Sequence, residues 1–271
     1  MKKYGKTRFI SVMFSKFAVN MTYNLTIDQG NTSAKYALWD GDGQMVGIQS
    51  RLRVEARDVA QMLPKYDVDT AIYCTVSRRS STLMHALQRC CRHVIEFSVN
   101  TPMPLTVDYR TPDTLGLDRL AAAVGAYALD GCAGRELLVV DLGTAITYDR
   151  VTADARYIGG NIAPGVFMRL KALNHYTARL PLVDPRQADS IEMWGDDTRH
   201  ALLSGAVRGV VAELEYYHAK AGENAAVVLT GGDAEFIAPM LHFDVHIRPN
   251  LVSEGLEHII RYNNAADSAA R

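Results

Sequence analysis

Apolar positions fall along this chain in two alternating kinds of run, and the alternation predicts a mixed α/β protein. Short continuous apolar runs closed by aspartate, glycine or polar residues read as buried strands: 24–27, 33–39, 70–76, 93–98, 137–140, 145–151 and 227–229. Runs with apolar residues three and four apart read as helices: 55–63, 80–91, 114–129, 164–174, 197–220 and 251–262. Asp113 or Thr114 is the expected cap of the alanine-rich helix over 114–129, and Asp130-Gly131 ends it. The segment from His242 to His246 reads as a further strand, while 101–104 and 109–113 read as loop. In the long helix, Ala201, Leu202, Gly205, Val210, Val211 and Leu214, followed by Tyr216 and Tyr217, cover more than one stripe. A second copy of the chain is expected to bury the extra stripe.

The order of elements repeats, and so does a short motif at the head of each half. Asp28-Gln29-Gly30-Asn31-Thr32 follows the first strand, and Asp141-Leu142-Gly143-Thr144-Ala145 follows the strand at 137–140. Each leads into a second strand and a glycine-bearing turn. A strand that ends in aspartate, with glycine two residues on, lets backbone N–H groups approach a phosphate while the carboxylate stands beside it to hold a cation. Two such turns facing each other would grip a nucleotide. The expected organisation is an extension over 1–20, an N-terminal lobe over 21–133, a C-terminal lobe over 134–263 and a polar tail over 264–271.

With 271 residues, 48% of them hydrophobic, there is enough apolar material for two lobes. Lys+Arg 29 against Asp+Glu 30 gives a formal charge of −1, so no basic field draws nucleic acid or an anionic membrane. A small-molecule partner is expected instead. Cys74, Cys90, Cys91 and Cys132 lack C-x-x-C spacing, which suits a reducing, cytoplasmic setting better than a disulfide framework or a zinc site. Lys2, Lys3, Lys6 and Arg8 before 9–14 resemble the start of a secretory signal, but Lys16 interrupts the apolar core and no small-residue cleavage site follows. An upstream start or a disordered tail is the expectation for this stretch.

Further motifs stand in one order along the chain: Leu115-Gly116-Leu117-Asp118-Arg119 opening a helix, the Asp141 motif, Gly159-Gly160-Asn161-Ile162-Ala163-Pro164-Gly165, Arg179-Leu180-Pro181, and Leu229-Thr230-Gly231-Gly232. Paired strand-turn-strand units with a later Thr-Gly-Gly resemble the actin-like ATPase superfamily, which includes sugar kinases. The five motifs in this order resemble the type III pantothenate kinases, over about residues 24–260.

That resemblance implies a two-lobed, ribonuclease H-like α/β fold with a duplicated β-meander and ATP in the cleft between lobes. It implies ATP:pantothenate phosphotransfer, with Mg²⁺ and a monovalent cation, K⁺ or NH₄⁺, and a homodimer. Asp28, Gln29, Gly30, Asn31, Thr32, Ser33, Ala34 and Lys35 are then the first phosphate loop, Asp28 holding Mg²⁺ through water. Thr144, Gly231 and Gly232 contact ATP, and Asp141 holds the monovalent cation. Gly116, Leu117, Asp118 and Arg119, with Tyr109 and Thr198, form the pantothenate site. Asp118 is the candidate base, because an alcohol attacking a phosphoryl group must lose its proton. Asp197 departs from the asparagine more usual before that threonine. Two other readings stand beside this one: a non-catalytic, kinase-like accessory factor in transcription control, and a kinase of the same superfamily acting on a sugar or other small alcohol.

Overall fold

Two β-meanders, each extended by parallel strands, give the chain its two sheets. The computed structural model describes residues 22–30, 33–75, 80–222 and 224–269. The N-terminal extension expected over 1–20 lies outside them. The chain groups into two units, the first formed by 1–103, 116–121 and 252–271 and the second by 104–115 and 122–251.

In the first unit, β1 (Thr22–Gln29), β2 (Ala34–Trp39) and β3 (Met45–Arg51) run antiparallel, and β4 (Asp67–Thr75) and β5 (His93–Glu96) add in parallel, in the order β3-β2-β1-β4-β5. The turn between β2 and β3 is closed by Asp40, whose Oδ1 accepts from the N–H groups of Asp42 and Gln44, with Gly43 at φ +77°. Helix α1 (Ala56–Met62) starts where Asp58 accepts from the Glu55 N–H at 2.9 Å. Helix α2 (Ser81–Cys90) starts where Ser80 Oγ accepts from Leu83 N–H, and it buries Leu83, Met84 and Leu87 on one face. These residues pack with Leu25, Ile27, Tyr36, Val59 and Tyr73 into one core.

The second unit repeats the order with new sequence. Here β7 (Leu137–Leu142), β8 (Ala145–Val151) and β9 (Arg156–Pro164) form the meander, and β10 (Ala226–Thr230) and β11 (His246–Ile247) add in parallel to β7. A two-residue strand, β6 (Thr106–Val107), pairs in parallel with the outer edge of β9. Helices α4 (Val166–Tyr176) and α5 (Thr198–Ala221) share a core with this sheet, and α6 (Ala234–Ile237) follows β10. Leu203, Val207, Val210 and Leu214 of α5 are each 1% exposed or less, a burial worth about 1.5–3 kcal/mol for each large side chain.

Several sequence expectations are corrected. The expected stripes of α5 are buried only in part by the second unit's own core: Leu202, Val210, Val211 and Leu214 are buried, whereas Ala201, Gly205 and Tyr216 are exposed. Helix α3 (Leu117–Tyr127) starts later than 114: Pro112 opens a 3-10 turn over Pro112–Thr114, and Thr114 Oγ1 bonds back to Thr111 O at 2.9 Å. The stretch from His242 contributes only His246 and Ile247 to the sheet. The polar tail from 264 is helical through Ala269, as the end of α7 (Leu251–Ala269). Grouping also differs from a cut after 133, because 104–115 goes with the second unit while most of α7 goes with the first. The reason is packing: Leu256, Ile259 and Ile260 of α7 are fully buried, and Asn24 of β1 donates to Glu257 there at 3.1 Å.

Candidate active site

In the first unit the site is built at the end of β1. Asp28 lies opposite Lys35 in the antiparallel register with β2 and beside Cys74 in the parallel register with β4. Beyond it Gly30 N–H donates to Ser33 O at 3.0 Å, and a Cβ on Gly30 would lie only 3.1 Å from that oxygen. Asp28 and Lys35 are half-buried and Ser33 is exposed, whereas Ala34 is fully buried. Gln29 is 1% exposed and its Oε1 accepts from Val54 N–H at 3.3 Å, so its side chain braces the fold and only its backbone faces the turn. Asn31 and Thr32 lie outside the described residues.

Asp118 stands in the first turn of α3, in the same unit. Its Oδ1 accepts from Arg119 N–H at 2.9 Å, which fixes the carboxylate against the helix start. Gly116 makes the room, for a Cβ there would lie 2.7 Å from Asp118 Oδ1. Leu117 is half-buried and Arg119 is only 8% exposed.

Cys74 connects the two carboxylates. Burial first, then the negative charges of Asp28 and then Asp118, hold its thiol well above the usual range. The thiol is therefore protonated and neutral at physiological pH. Sequence reasoning missed Cys74 as a site residue. The only signal was its position near the end of the strand expected at 70–76, and the register that sets it beside Asp28 is a long-range property.

In the second unit, Asp141 near the end of β7 pairs with Thr230 of β10, and the glycines near it are there for space. Gly231 has φ +91°, and a Cβ on it would lie 2.4 Å from Asp141 Oδ1 and 2.5 Å from the Leu142 carbonyl carbon. Asp233 N–H donates to Leu142 O at 3.0 Å, binding this turn to the end of β7. Gly165, at the start of α4, donates to Thr144 O at 3.1 Å, and its own Cβ would lie 2.3 Å from Gly143 O. Thr144 and Gly232 are exposed, and Arg186, another residue the sequence did not point to, bonds Asp233 at 2.8 Å beside Gly232.

The remaining expected contacts are also in the second unit. Tyr109 is half-buried against Gly159 and the Tyr157 ring. Thr198 is exposed at the first position of α5, after Asp197, whose Oδ1 accepts from His200 N–H at 2.8 Å. That backbone bond, with the His200 side chain nearby, lowers the Asp197 pKa. Among the described residues, Asp196, Asp197 and His200 are a group whose ligand atoms lie within 4.8 Å of one another.

Residues 24–220 match the family model of type III pantothenate kinases. The type III pantothenate kinase of Porphyromonas gingivalis is 39% identical over 248 residues, covering 90% of this chain and 100% of that protein. That of Bacteroides fragilis is 39% identical over 246 residues, covering 89% and 98%. Among solved structures, the activator of the 2-hydroxyisocaproyl-CoA dehydratase from Clostridium difficile, with bound ADPNP, superposes with a TM-score of 0.54 at 11% identity, over 92% of this chain and 97% of that one. A Campylobacter jejuni protein described as a Baf family transcriptional activator superposes with a TM-score of 0.53 at 23% identity, over 89% and 99%. Both likenesses concern the fold alone, which is that of the actin-like ATPases. The motifs, the duplicated sheets and the extent of identity together place the chain in the type III pantothenate kinase family.

Proposed function

We propose that this chain transfers the γ-phosphoryl group of ATP to pantothenate, the first step of coenzyme A synthesis, and that Asp118 is the base. Besides the family match, the observation that carries this reading is the placement of Asp28 at the end of β1 and of Asp118 in the first turn of α3 within one unit. Phosphoryl transfer asks mainly for positioning and charge stabilisation. Asp118 takes the proton of the primary hydroxyl as it attacks, held in place by Arg119 N–H.

The donor set at Asp28 fits Mg²⁺: a hard carboxylate oxygen at a strand end, beside a thiol that stays protonated. Bound there through water, the ion would neutralise charge on the phosphoryl oxygens. Lys35, directly across from Asp28, adds a positive charge. In the second unit, Thr144 and the bare backbone of Gly231 and Gly232 serve the nucleotide. The Asp141 carboxylate fits a monovalent cation, K⁺ or NH₄⁺, with backbone carbonyls completing an oxygen shell. Tyr109 and Thr198 contact pantothenate, and Arg119, 8% exposed, adds a buried positive charge.

We place the protein in the cytoplasm, a reducing setting that the spacing of Cys74, Cys90, Cys91 and Cys132 suits. No helix among the described residues is long and apolar enough to cross a membrane. We also propose a homodimer, supported by the exposed Ile162, Tyr176 and Tyr216 of the second unit, at 67%, 83% and 59%. A coupled ADP-release assay with ATP, Mg²⁺ and K⁺, comparing pantothenate, glucose and no acceptor, tests the activity. Release that depends on pantothenate alone supports it; release with glucose, or with neither, rejects it.

A further inference from the structure

The Tyr109 ring rests on a glycine that cannot gain a side chain without displacing it. Gly159 has φ +99°, and a Cβ there would lie 2.9 Å from both Cδ2 and Cε2 of the ring. It follows a bulge in β9: Tyr157 pairs with Val151 and Gly159 with Arg150, which leaves Ile158 as the extra residue. Bulges of this kind re-aim what packs on the strand. The approach to Tyr109 is held to the same strand. Thr106 N–H donates to Ala155 O and Asp108 N–H to Tyr157 O, both at 2.9 Å, and Arg156 pairs with Asp108.

A second ring lies beside the first. Tyr157 is fully buried, its ring centroid 6.3 Å from that of Tyr109 at an interplanar angle of 57°. Its hydroxyl donates at 2.6 Å to Asp149 Oδ1, and Asp149 is 1% exposed. Rotating Tyr157 away would break a buried hydrogen bond to a carboxylate, among the costlier bonds to lose. The left-handed φ alone would favour glycine at 159. The ring contact adds a separate requirement, which falls on Tyr109.

We propose that Gly159, with Tyr157 and Asp149, positions Tyr109 and so sets affinity for the acceptor without touching it. The inference rests on the reading of Tyr109 as a pantothenate contact. The test is steady-state kinetics of Gly159→Ala, Tyr109→Ala and the double variant, with pantothenate and ATP varied separately. Gly159→Ala is expected to raise the pantothenate KM roughly ten- to a hundredfold, as a small misplacement of a binding group does, and to leave the ATP KM within about twofold. In the Tyr109→Ala background, where no ring remains to be displaced, the same substitution is expected to change the pantothenate KM less than about twofold. Equal costs in both backgrounds, or pantothenate and ATP KM values that move together, would overturn the proposal. If Tyr109→Ala alone leaves the pantothenate KM unaltered, the reading beneath the proposal fails, and the proposal with it. Should Gly159→Ala not fold, Tyr157→Phe removes only the hydroxyl; a raised pantothenate KM then supports the inference, and unchanged KM values for both substrates overturn it.

Discussion

Cys74 on β4 stands beside Asp28 on β1 in the parallel register of the two strands, and it is fully buried. A neutral thiol there leaves the cation chemistry to oxygen ligands, so the two cation roles should separate by mutation. Asp28→Asn should raise the Mg²⁺ concentration for half-maximal rate about tenfold or more and leave the K⁺ response unchanged. Asp141→Asn should do the reverse. Titrations of both ions on both variants check this, and an unaltered Mg²⁺ curve for Asp28→Asn or an unaltered K⁺ curve for Asp141→Asn would reject the corresponding site.

Gly231 and Gly232 are adjacent and should respond differently to alanine. At Gly231 the new Cβ would meet Leu142 backbone atoms at 2.5 and 2.6 Å, with φ at +91°, and backbone cannot swing aside as a side chain can. A loss of about 2 kcal/mol or more is expected, lowering the melting midpoint by several degrees. At Gly232 the nearest atom is Arg186 Nη2 at 3.6 Å, an ordinary contact, so Gly232→Ala should stay within about 0.5 kcal/mol. Equal melting shifts for the two variants would contradict this account of the turn.

Local chemistry was legible in the chain, and long-range pairing was not. The aspartate-closed strands at 28 and 141 depend on residues within a few positions, and the structure has them there, whereas the helix start expected at Asp113 or Thr114 gives way to the 3-10 turn that Pro112 opens. Cys74 beside Asp28 depends on the register between strands some forty residues apart, which apolar runs do not encode. The two-residue β6 is too short to leave a pattern. The polar stretch after 263 reads as tail because the residues there carry few apolar side chains, yet it continues a helix whose buried face lies earlier, at Leu256, Ile259 and Ile260. Tyr109 was singled out only by the resemblance to the type III pantothenate kinases, and nothing in the sequence marked Gly159 as its seat.

Glu257 should make stability fall as pH rises. It is 4% exposed, and burial, with a smaller contribution from Asp40, pushes its pKa up to about 7 against the opposing effects of Asn24 and Arg261. The native state keeps a proton that the unfolded chain releases near the ordinary value of 4.5. Its stabilising contribution is therefore whole below that value and is lost progressively as pH rises to about 7, by something on the order of 3 kcal/mol. Glu257→Gln retains an acceptor for Asn24 and cannot ionise, so its melting midpoint relative to the parent should rise between pH 5 and pH 8. A difference that stays constant over that range would contradict the buried, protonated state.

A homodimer should form through exposed side chains of the second unit, Ile162, Tyr176 and Tyr216. Light scattering should give a mass near twice 29.9 kDa. Ile162→Glu, at a position 67% exposed in β9, should return it toward the single-chain mass with the fold intact. A parent protein that scatters as a single chain would reject the dimer.

The most direct measurement of the central claim is formation of 4′-phosphopantothenate by the parent protein and by Asp118→Asn, at saturating ATP, Mg²⁺ and K⁺. The parent should form the product with matching ADP release, and the variant should melt at nearly the same temperature while turning over roughly 10² to 10⁴ times more slowly, the usual worth of a positioned base. No pantothenate-dependent product from the parent, or a folded Asp118→Asn protein within about threefold of the parent rate, would contradict the assignment of Asp118 as the base of a pantothenate kinase.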